Sequence, residues 1–100
     1  MDRETVLAVL QRHRDELMRL GVLSLSIVGS VARDTSDSTS DVDIAVRLSD
    51  HERGFAHLRR LDELEARLSV MLGRCVDVIE EPSGSTGVQS EIDRDRILAF

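Results

Sequence analysis

The alternation of side chains along residues 42–48 constrains the fold of this chain more than any other feature. Successive residues of a β-strand point to opposite faces of a sheet. The apolar side chains therefore share one face, and they are Val42, Ile44, Val46 and Leu48. Because a wholly apolar face belongs in the core, the same alternation fixes Asp41 and Asp43 together on the opposite face.

Two carboxylates on one face at this spacing predict a cation site. If they are unpaired, Asp41 and Asp43 repel each other, and the repulsion raises the pKa of one of them. A divalent cation relieves this repulsion. Magnesium suits the position, because it binds through one or two carboxylates plus substrate phosphates and keeps its remaining waters.

A Gly-Ser turn precedes the aspartates and is suited to bind an anion. The apolar run 25–28 reads as a strand, Gly29-Ser30 breaks it, and residues 31–33 can form a helical turn. A glycine lets phosphate oxygens approach the backbone, and free N–H groups at a helix start favour negative charge. The Ser30 hydroxyl adds one donor. Arg33 either meets a phosphate or pairs with an acidic group such as Asp34, and the sequence leaves both open.

Gly29-Ser30, a ten-residue spacer and Asp41-Val42-Asp43 together resemble the motif of the nucleotidyltransferase superfamily that includes DNA polymerase beta. The length and the sequence GSVAR are most similar to its minimal nucleotidyltransferase branch, the MntA antitoxins encoded beside HEPN-domain toxins. The resemblance spans roughly residues 4–100, and its specific part is 29–46. It implies an α/β (α+β) nucleotidyltransferase fold with a small mixed sheet.

The remaining pattern predicts a sheet with helices covering one face and the carboxylates on the other. Helices are predicted at 4–20, 30–34, 49–73 and 88–100, and strands at 23–28, 42–48 and 74–80. Ser49 and Glu52 have the spacing of a capping box that opens the third helix, and Gly73 ends it. The predicted buried stripe of that helix begins with Phe55 and Leu58. We expect residues 1–100 to form one domain.

Strand 74–80 carries a third carboxylate. The alternation directs Val76 and Val78 towards the helices and places Asp77 on the other side with Cys75 and Ile79. Taken alone, Asp77 has a second interpretation, an aspartate at a sheet edge, which is the less favoured of the two. An aspartate among apolar residues is costly to bury without compensation, which a metal at Asp41 and Asp43 would supply. The family carries its third acidic residue on the corresponding strand, so the resemblance implies that Asp77 completes the set.

The resemblance implies a reaction as well as a fold. Asp41 and Asp43 would bridge two magnesium ions, and Asp77 would ligate the ion that binds the nucleophile. ATP would donate AMP to a hydroxyl, in this branch a tyrosine of a cognate HEPN toxin. The implied catalytic and metal-binding residues are Asp41, Asp43 and Asp77. The implied nucleotide-binding residues are Gly29, Ser30 and Arg33.

Two other functions stay open at this point. In the first, the chain neutralises the toxin by occlusion alone, as a binding module without catalysis. Alternatively, it transfers a nucleotide to a small molecule, in which case a homodimer would help to build the acceptor pocket. Many relatives have glycine where this chain has Asp34, and that departure places a negative charge near the predicted phosphate site.

Charge and composition limit the kinds of partner and the cellular location that we expect. With 19 acidic and 13 basic residues the formal charge is −6, which repels nucleic-acid backbones and suits a basic protein partner. The first residues are too charged for a signal peptide, and no apolar run approaches the roughly 20 residues of a membrane span. The single cysteine, Cys75, agrees with a reducing compartment and is expected to be a small core residue. We therefore expect a cytoplasmic protein without a membrane contact.

Overall fold

The computed structural model of the chain describes residues 2–37, 39–49 and 54–100. The helices in these ranges are α1 (Arg3–Arg12), α2 (Arg14–Arg19), α3 (Gly29–Ala32), α4 (Phe55–Leu72) and α5 (Thr86–Asp95). The strands are β1 (Val22–Val28), β2 (Val42–Leu48), β3 (Val76–Glu80) and β4 (Ile97–Leu98). Within the described ranges, no helix combines the length and the apolar content needed to cross a membrane.

The four strands form one mixed sheet in the order β3-β2-β1-β4. Strand β1 is antiparallel to both β2 and β4, whereas β2 and β3 are parallel. A parallel pair needs a crossover connection, and α4 supplies it between β2 and β3. The predicted fold class, a small mixed sheet with helices, is confirmed.

The main core lies between one face of the sheet and helices α1, α2 and α4. The alternating apolar residues of the strands supply the sheet side of this core: Leu25, Ile27, Val42, Ile44, Val46 and Val76. The helices supply the other side: Val6, Leu10, Leu17, Leu64, Leu68 and Leu72. The apolar face predicted for β2 is therefore buried, and its aspartates point away from this core.

Helix α5 packs against the opposite face of the sheet. Its Ile92 is buried with Val28 and Ala45, and Ile79 packs beside them. Ser85 caps the start of the helix, because its hydroxyl accepts a hydrogen bond from the Val88 amide. The prediction that the helices cover only the face opposite the carboxylates is therefore wrong for α5, which covers part of the carboxylate face because Val28, Ala45 and Ile79 make that part apolar.

A buried polar network fixes the end of α5 against the sheet. The carboxylate of Glu81 is buried and receives hydrogen bonds from both terminal nitrogens of the Arg96 guanidinium. Arg96 also donates to the Ser26 hydroxyl at 2.9 Å, and Gln89 donates to Glu81 at 3.0 Å. Since each of these polar groups has a partner, burying them does not leave an uncompensated charge.

The predicted last helix at 88–100 is wrong at its end. Helix α5 stops at Asp95, Arg96 is extended (φ −50°, ψ 125°), and Ile97 pairs with Ile27 in β4. The physical reason is that the free edge of β1 has unpaired backbone groups, which the last residues satisfy. Ala99 donates to the Leu25 carbonyl at 2.9 Å and is buried.

Two helix predictions also differ in detail. The predicted helix 4–20 is divided at His13, whose backbone (φ −97°, ψ 14°) leaves the helical region. Phe55 and Leu58 were expected to be buried but are 85% and 57% exposed, because the first turn of α4 projects beyond the core that Leu64 and Leu68 enter. The predicted capping box falls largely on residues 50–53, which lie outside the described residues.

Candidate active site

Asp43 and Asp77 are neighbours on two parallel strands. They are register partners in the β2/β3 pair, so their side chains lie on the same face of the sheet. Their flanking residues Val42 and Val76 are also paired and enter the main core. The alternation of both strands thus determines that the two carboxylates face away from that core.

Asp41 belongs to the same cluster. It is exposed just before β2 begins. Partial burial raises the pKa of Asp43 above its ordinary value of 3.8, and the negative charges of Asp77 and Asp41 raise it further, while Arg33 partly offsets them. The structure therefore brings the three predicted aspartates into one electrostatic neighbourhood.

None of these carboxylates is neutralised by a protein partner. Within the described ranges, the side chains of Asp41, Asp43 and Asp77 form neither a hydrogen bond nor an ion pair. In the same ranges no three acidic, histidine or cysteine side chains converge closely enough to hold a metal ion as they stand. The cluster therefore has excess negative charge, and a shared cation would have to draw its side chains together.

The Gly-Ser turn lies directly against this cluster. Val28 is the register partner of Asp43, and Gly29 follows it with φ 71°, a backbone conformation that L side chains rarely adopt. A Cβ atom at Gly29 would stand well inside 3.0 Å from Oδ2 of Asp43. Only glycine therefore lets the chain turn here without displacing the Asp43 carboxylate.

Helix α3 begins at this turn, and no side chain caps its first amides. Among the described residues the Ser30 hydroxyl has no partner, whereas the Ser30 carbonyl accepts a hydrogen bond from the Thr35 amide at 2.9 Å. Ser30 thus lies beside the aspartates with its hydroxyl available to a ligand.

Arg33 pairs with an acid that the sequence did not indicate. Its Nη1 lies 2.6 Å from Oδ2 of Asp95 on α5. A cleft of about 210 Å³ lies between α5 and the turn. The cleft is lined by Val28, Gly29, Arg33, Asp43, Ile79, Val88, Glu91, Ile92 and Asp95.

Asp95 and Glu91 are site residues that sequence reasoning missed. The spacing of Val88 and Ile92 shows that α5 has an apolar side, and Glu91 and Asp95 flank it at the same spacing. That pattern does not say which face of the sheet the helix covers, because both faces have apolar residues.

The loop between α3 and β2 contains a left-handed residue. Asp34 has φ 61°, the only positive φ among the described non-glycine residues. Glycine adopts this conformation at no steric cost, whereas an aspartate adopts it with some strain. Arg74 ties the far end of this loop to β3 by donating to the carbonyls of Asp37 and Ser40.

Cys75 was expected to be a core residue but is exposed. It precedes β3, and its carbonyl accepts a hydrogen bond from the Val42 amide at 2.9 Å. The alternation that buries Val76 turns Cys75 to the carboxylate side. The thiol therefore lies on the same side of the sheet as Asp77.

This geometry can be compared with known proteins. The sequence model of one protein family, described as the nucleotidyltransferase domain, matches residues 10–99. No curated protein sequence matches the chain. A solved structure described as a minimal nucleotidyltransferase superposes with a TM-score of 0.78 at 28% identity, covering 97% of this chain and 95% of that one.

Two solved complexes share the fold at lower identity. A toxin-antitoxin structure with AMP-PNP gives a TM-score of 0.69 at 24% identity and covers 90% of this chain and 72% of that one. A tri-AMPylated Shewanella oneidensis HEPN toxin in complex with MNT antitoxin gives 0.60 at 20% identity, over 90% and 71% of the two chains. At these identities the complexes establish likeness of fold.

Proposed function

Because the chain belongs to the nucleotidyltransferase domain family, we propose that it transfers AMP from ATP to a hydroxyl of an acceptor protein. One observation carries the proposal. Asp41, Asp43 and Asp77 share a neighbourhood, have no protein partner within the described ranges, and adjoin a glycine turn that leaves no room for a side chain. An uncompensated acidic cluster beside an anion-binding turn is what transfer from a nucleoside triphosphate requires.

The three aspartates are the residues that would hold magnesium. Their donor set consists of carboxylate oxygens alone, the hard ligands that magnesium prefers. When bound, two magnesium ions neutralise charge on the triphosphate and on the attacking oxygen. The raised pKa of Asp43 fits this role, because a cation would relieve the repulsion by Asp77 and Asp41 that helps to raise it.

Other residues of the site bind the leaving phosphates and orient the acceptor hydroxyl. Ser30 and the amides of the Gly29 turn hold the phosphate end that leaves as pyrophosphate, and Arg33 adds positive charge there. Asp77 orients the acceptor hydroxyl and accepts its proton. The hydroxyl oxygen bonds to the α-phosphorus as the bond to the pyrophosphate oxygen breaks.

The proposed acceptor is a tyrosine of a cognate HEPN toxin, which the transfer silences. Likeness to antitoxin structures supports this choice, and the charge of −6 suits a basic partner. We further propose that residues 1–100 act as one minimal domain in the cytoplasm, where ATP and magnesium are abundant. The single cysteine agrees with that reducing compartment.

The test is transfer of label from α-labelled ATP. The chain is incubated with magnesium and the HEPN-domain protein encoded beside its gene, and labelled protein is detected. We expect wild type to label the toxin and Asp41→Asn/Asp43→Asn to leave it unlabelled. The matched control is Asp62→Asn, which removes an exposed carboxylate from α4 and should not change labelling. An unlabelled toxin with folded wild type would contradict the proposal.

Neutralisation in cells separates catalysis from occlusion. If the Asp41→Asn/Asp43→Asn chain still protects cells from the toxin as well as wild type does, binding alone silences the toxin. Our proposal predicts that protection is lost although the variant remains folded.

A further inference from the structure

A second hollow lies beside the carboxylates, on the far side from the Gly29 cleft. It has a volume of about 660 Å³, and its lining includes Asp41, Asp77, Cys75, Arg74 and Val70, whereas Gly29, Arg33 and Asp43 line the first cleft. We propose that this hollow and the adjoining surface of α4 form the docking site of the acceptor protein, which inserts a basic, hydroxyl-bearing segment. The inference rests on the proposed function and assigns the acceptor side of that site.

The direction of attack supports this assignment. In phosphoryl transfer the attacking and leaving oxygens lie roughly in line through the phosphorus. If the leaving phosphates occupy the turn at Gly29 and Ser30, the acceptor must come from the side of the carboxylates opposite that turn. Asp77 and Asp41 line the hollow on that side.

The hollow continues into an apolar surface that suits a macromolecule. Val70 is 84% exposed and also lines a neighbouring hollow of about 580 Å³, between α4 and the junction of α1 and α2. Ala66 and Met71 of α4 and His13 belong to that neighbouring hollow. A small molecule is normally enclosed by its pocket. This surface instead extends over two hollows that share Val70, and it therefore fits a polypeptide.

The charges of the docking site favour a basic occupant. Among the residues that line the hollow at the carboxylates, Glu65 is an acid apart from the proposed magnesium ligands, and Arg74 is the cation. Arg74 already donates to the carbonyls of Asp37 and Ser40. In the neighbouring hollow, Arg67 is paired with Glu16 at 3.6 Å and with Glu63 at 3.5 Å. With His13 neutral, Glu16, Glu63 and Glu65 exceed Arg67 and Arg74 by one charge even when magnesium neutralises Asp41 and Asp77. The docking site therefore keeps a net negative charge, which complements a positive segment.

Substitution of Val70 tests the docking site with a matched control. Val70→Lys places a positive charge and a longer side chain in the proposed interface, and Phe55→Lys makes the same change at an equally exposed apolar residue of α4 outside both hollows. We expect Val70→Lys to reduce AMP transfer to the toxin roughly tenfold or more, as loss of an interface anchor does, while Phe55→Lys leaves it unchanged. Val70→Glu should reduce transfer less than Val70→Lys, because it does not repel a basic segment.

Nucleotide binding separates the two proposals. Both lysine variants should keep the rise in melting temperature that magnesium and ATP give wild type, since neither residue lines the Gly29 cleft. Equal transfer by Val70→Lys and wild type would overturn the docking site and leave the proposed function intact. A wild type that neither binds nucleotide nor labels the toxin would overturn both.

The alkylation rate of Cys75 measures docking of the toxin without relying on catalysis. It is the only cysteine of the chain, it is exposed, and it lines the proposed docking site. Adding the toxin without nucleotide should slow alkylation of Cys75 in wild type and in Phe55→Lys, but much less in Val70→Lys. An alkylation rate that the toxin does not change, under conditions where the two proteins form a complex, would overturn the inference.

Discussion

Nη1 of Arg33 lies 2.6 Å from Oδ2 of Asp95, and this ion pair joins the residue that follows α3 to helix α5 across the cleft beside Asp43. Partial burial and the neighbouring aspartates raise the pKa of Asp43, and the positive charge of Arg33 lowers it. The cation nearest the proposed phosphate site is therefore held by an acid of the same chain. A triphosphate that recruits Arg33 must compete with Asp95 for it.

Removing that competitor should strengthen nucleotide binding. Asp95→Asn takes a negative charge away from the cleft and frees Arg33 for a phosphate. We expect the affinity for magnesium and ATP to rise roughly two- to fivefold, a change of the size that an ion pair near the surface contributes. Calorimetric titration measures it, with Asp62→Asn as the control for loss of an acid elsewhere. Weaker binding by Asp95→Asn would mean that Asp95 positions Arg33 instead of competing for it.

The glycine turn should not tolerate a methyl group. Gly29→Ala forces a Cβ into the Asp43 carboxylate at a positive φ, so we expect a loss of about 1–3 kcal/mol in the free energy of unfolding. The rise in melting temperature with magnesium and ATP should also disappear. Gly87→Ala is the matched control, because its added Cβ would meet nothing closer than the Ser85 hydroxyl at 3.9 Å. Equal stability of the two variants would contradict the geometry described for the turn.

The acidic cluster should make stability depend on pH. The pKa of Asp43 is raised in the folded chain, so the folded state binds more protons than the unfolded state between the ordinary value of 3.8 and the raised one. The contribution of Asp43 to stability therefore falls as pH rises through that window, and it stays unfavourable at neutral pH. Asp43→Asn should accordingly stabilise the chain at pH 7 in the absence of divalent cations, but not below the ordinary pKa.

Urea unfolding of wild type and Asp43→Asn across this pH range measures the effect, and Asp62→Asn serves as control. Magnesium should stabilise wild type at pH 7 and have little effect on Asp43→Asn, since ligand bound by the folded state alone stabilises it. Lower stability of Asp43→Asn than of wild type at neutral pH without cations would contradict the argument.

Two substitutions separate the roles of charge and backbone at Asp34. Asp34→Gly relieves the positive φ and removes a charge, and Asp34→Asn removes the charge but keeps a side chain that tolerates this conformation. We expect Asp34→Gly to raise the free energy of unfolding by about 0.5–1 kcal/mol and Asp34→Asn to change it little. Both should bind magnesium and ATP more tightly than wild type. If only the glycine variant does so, the backbone and not the charge limits binding.

The strands that carry the aspartates could be predicted from the sequence, because burial of one sheet face places an apolar residue at every second position. Val42, Val46 and Val76 enter the core, so Asp43 and Asp77 must face the other way, and the parallel register then makes them neighbours. The turn was also predicted, because Gly29-Ser30 interrupts an apolar run, but the collision that a side chain at Gly29 would have with Asp43 is seen only in the structure.

Contacts between elements that lie far apart in the sequence could not be predicted in the same way. Helix α5 has an apolar side, but its sequence does not tell which face of the sheet that side covers, so the pairing of Arg33 with Asp95 was not predicted. The helical spacing of residues 88–100 also predicted helix where β4 lies. There Ile97 pairs with Ile27 at the edge of β1 instead of forming another turn of helix. In each case a distant partner decides the structure, and the local pattern does not contain that partner.

The most direct test is a calorimetric titration of a non-hydrolysable ATP analogue into the chain, with and without magnesium. If Asp41, Asp43 and Asp77 share a cation beside the Gly29 turn, wild type and Asp62→Asn will bind the analogue only with magnesium, and Asp43→Asn will not bind it. Magnesium-independent binding, or equal binding by Asp43→Asn and wild type, would contradict the account.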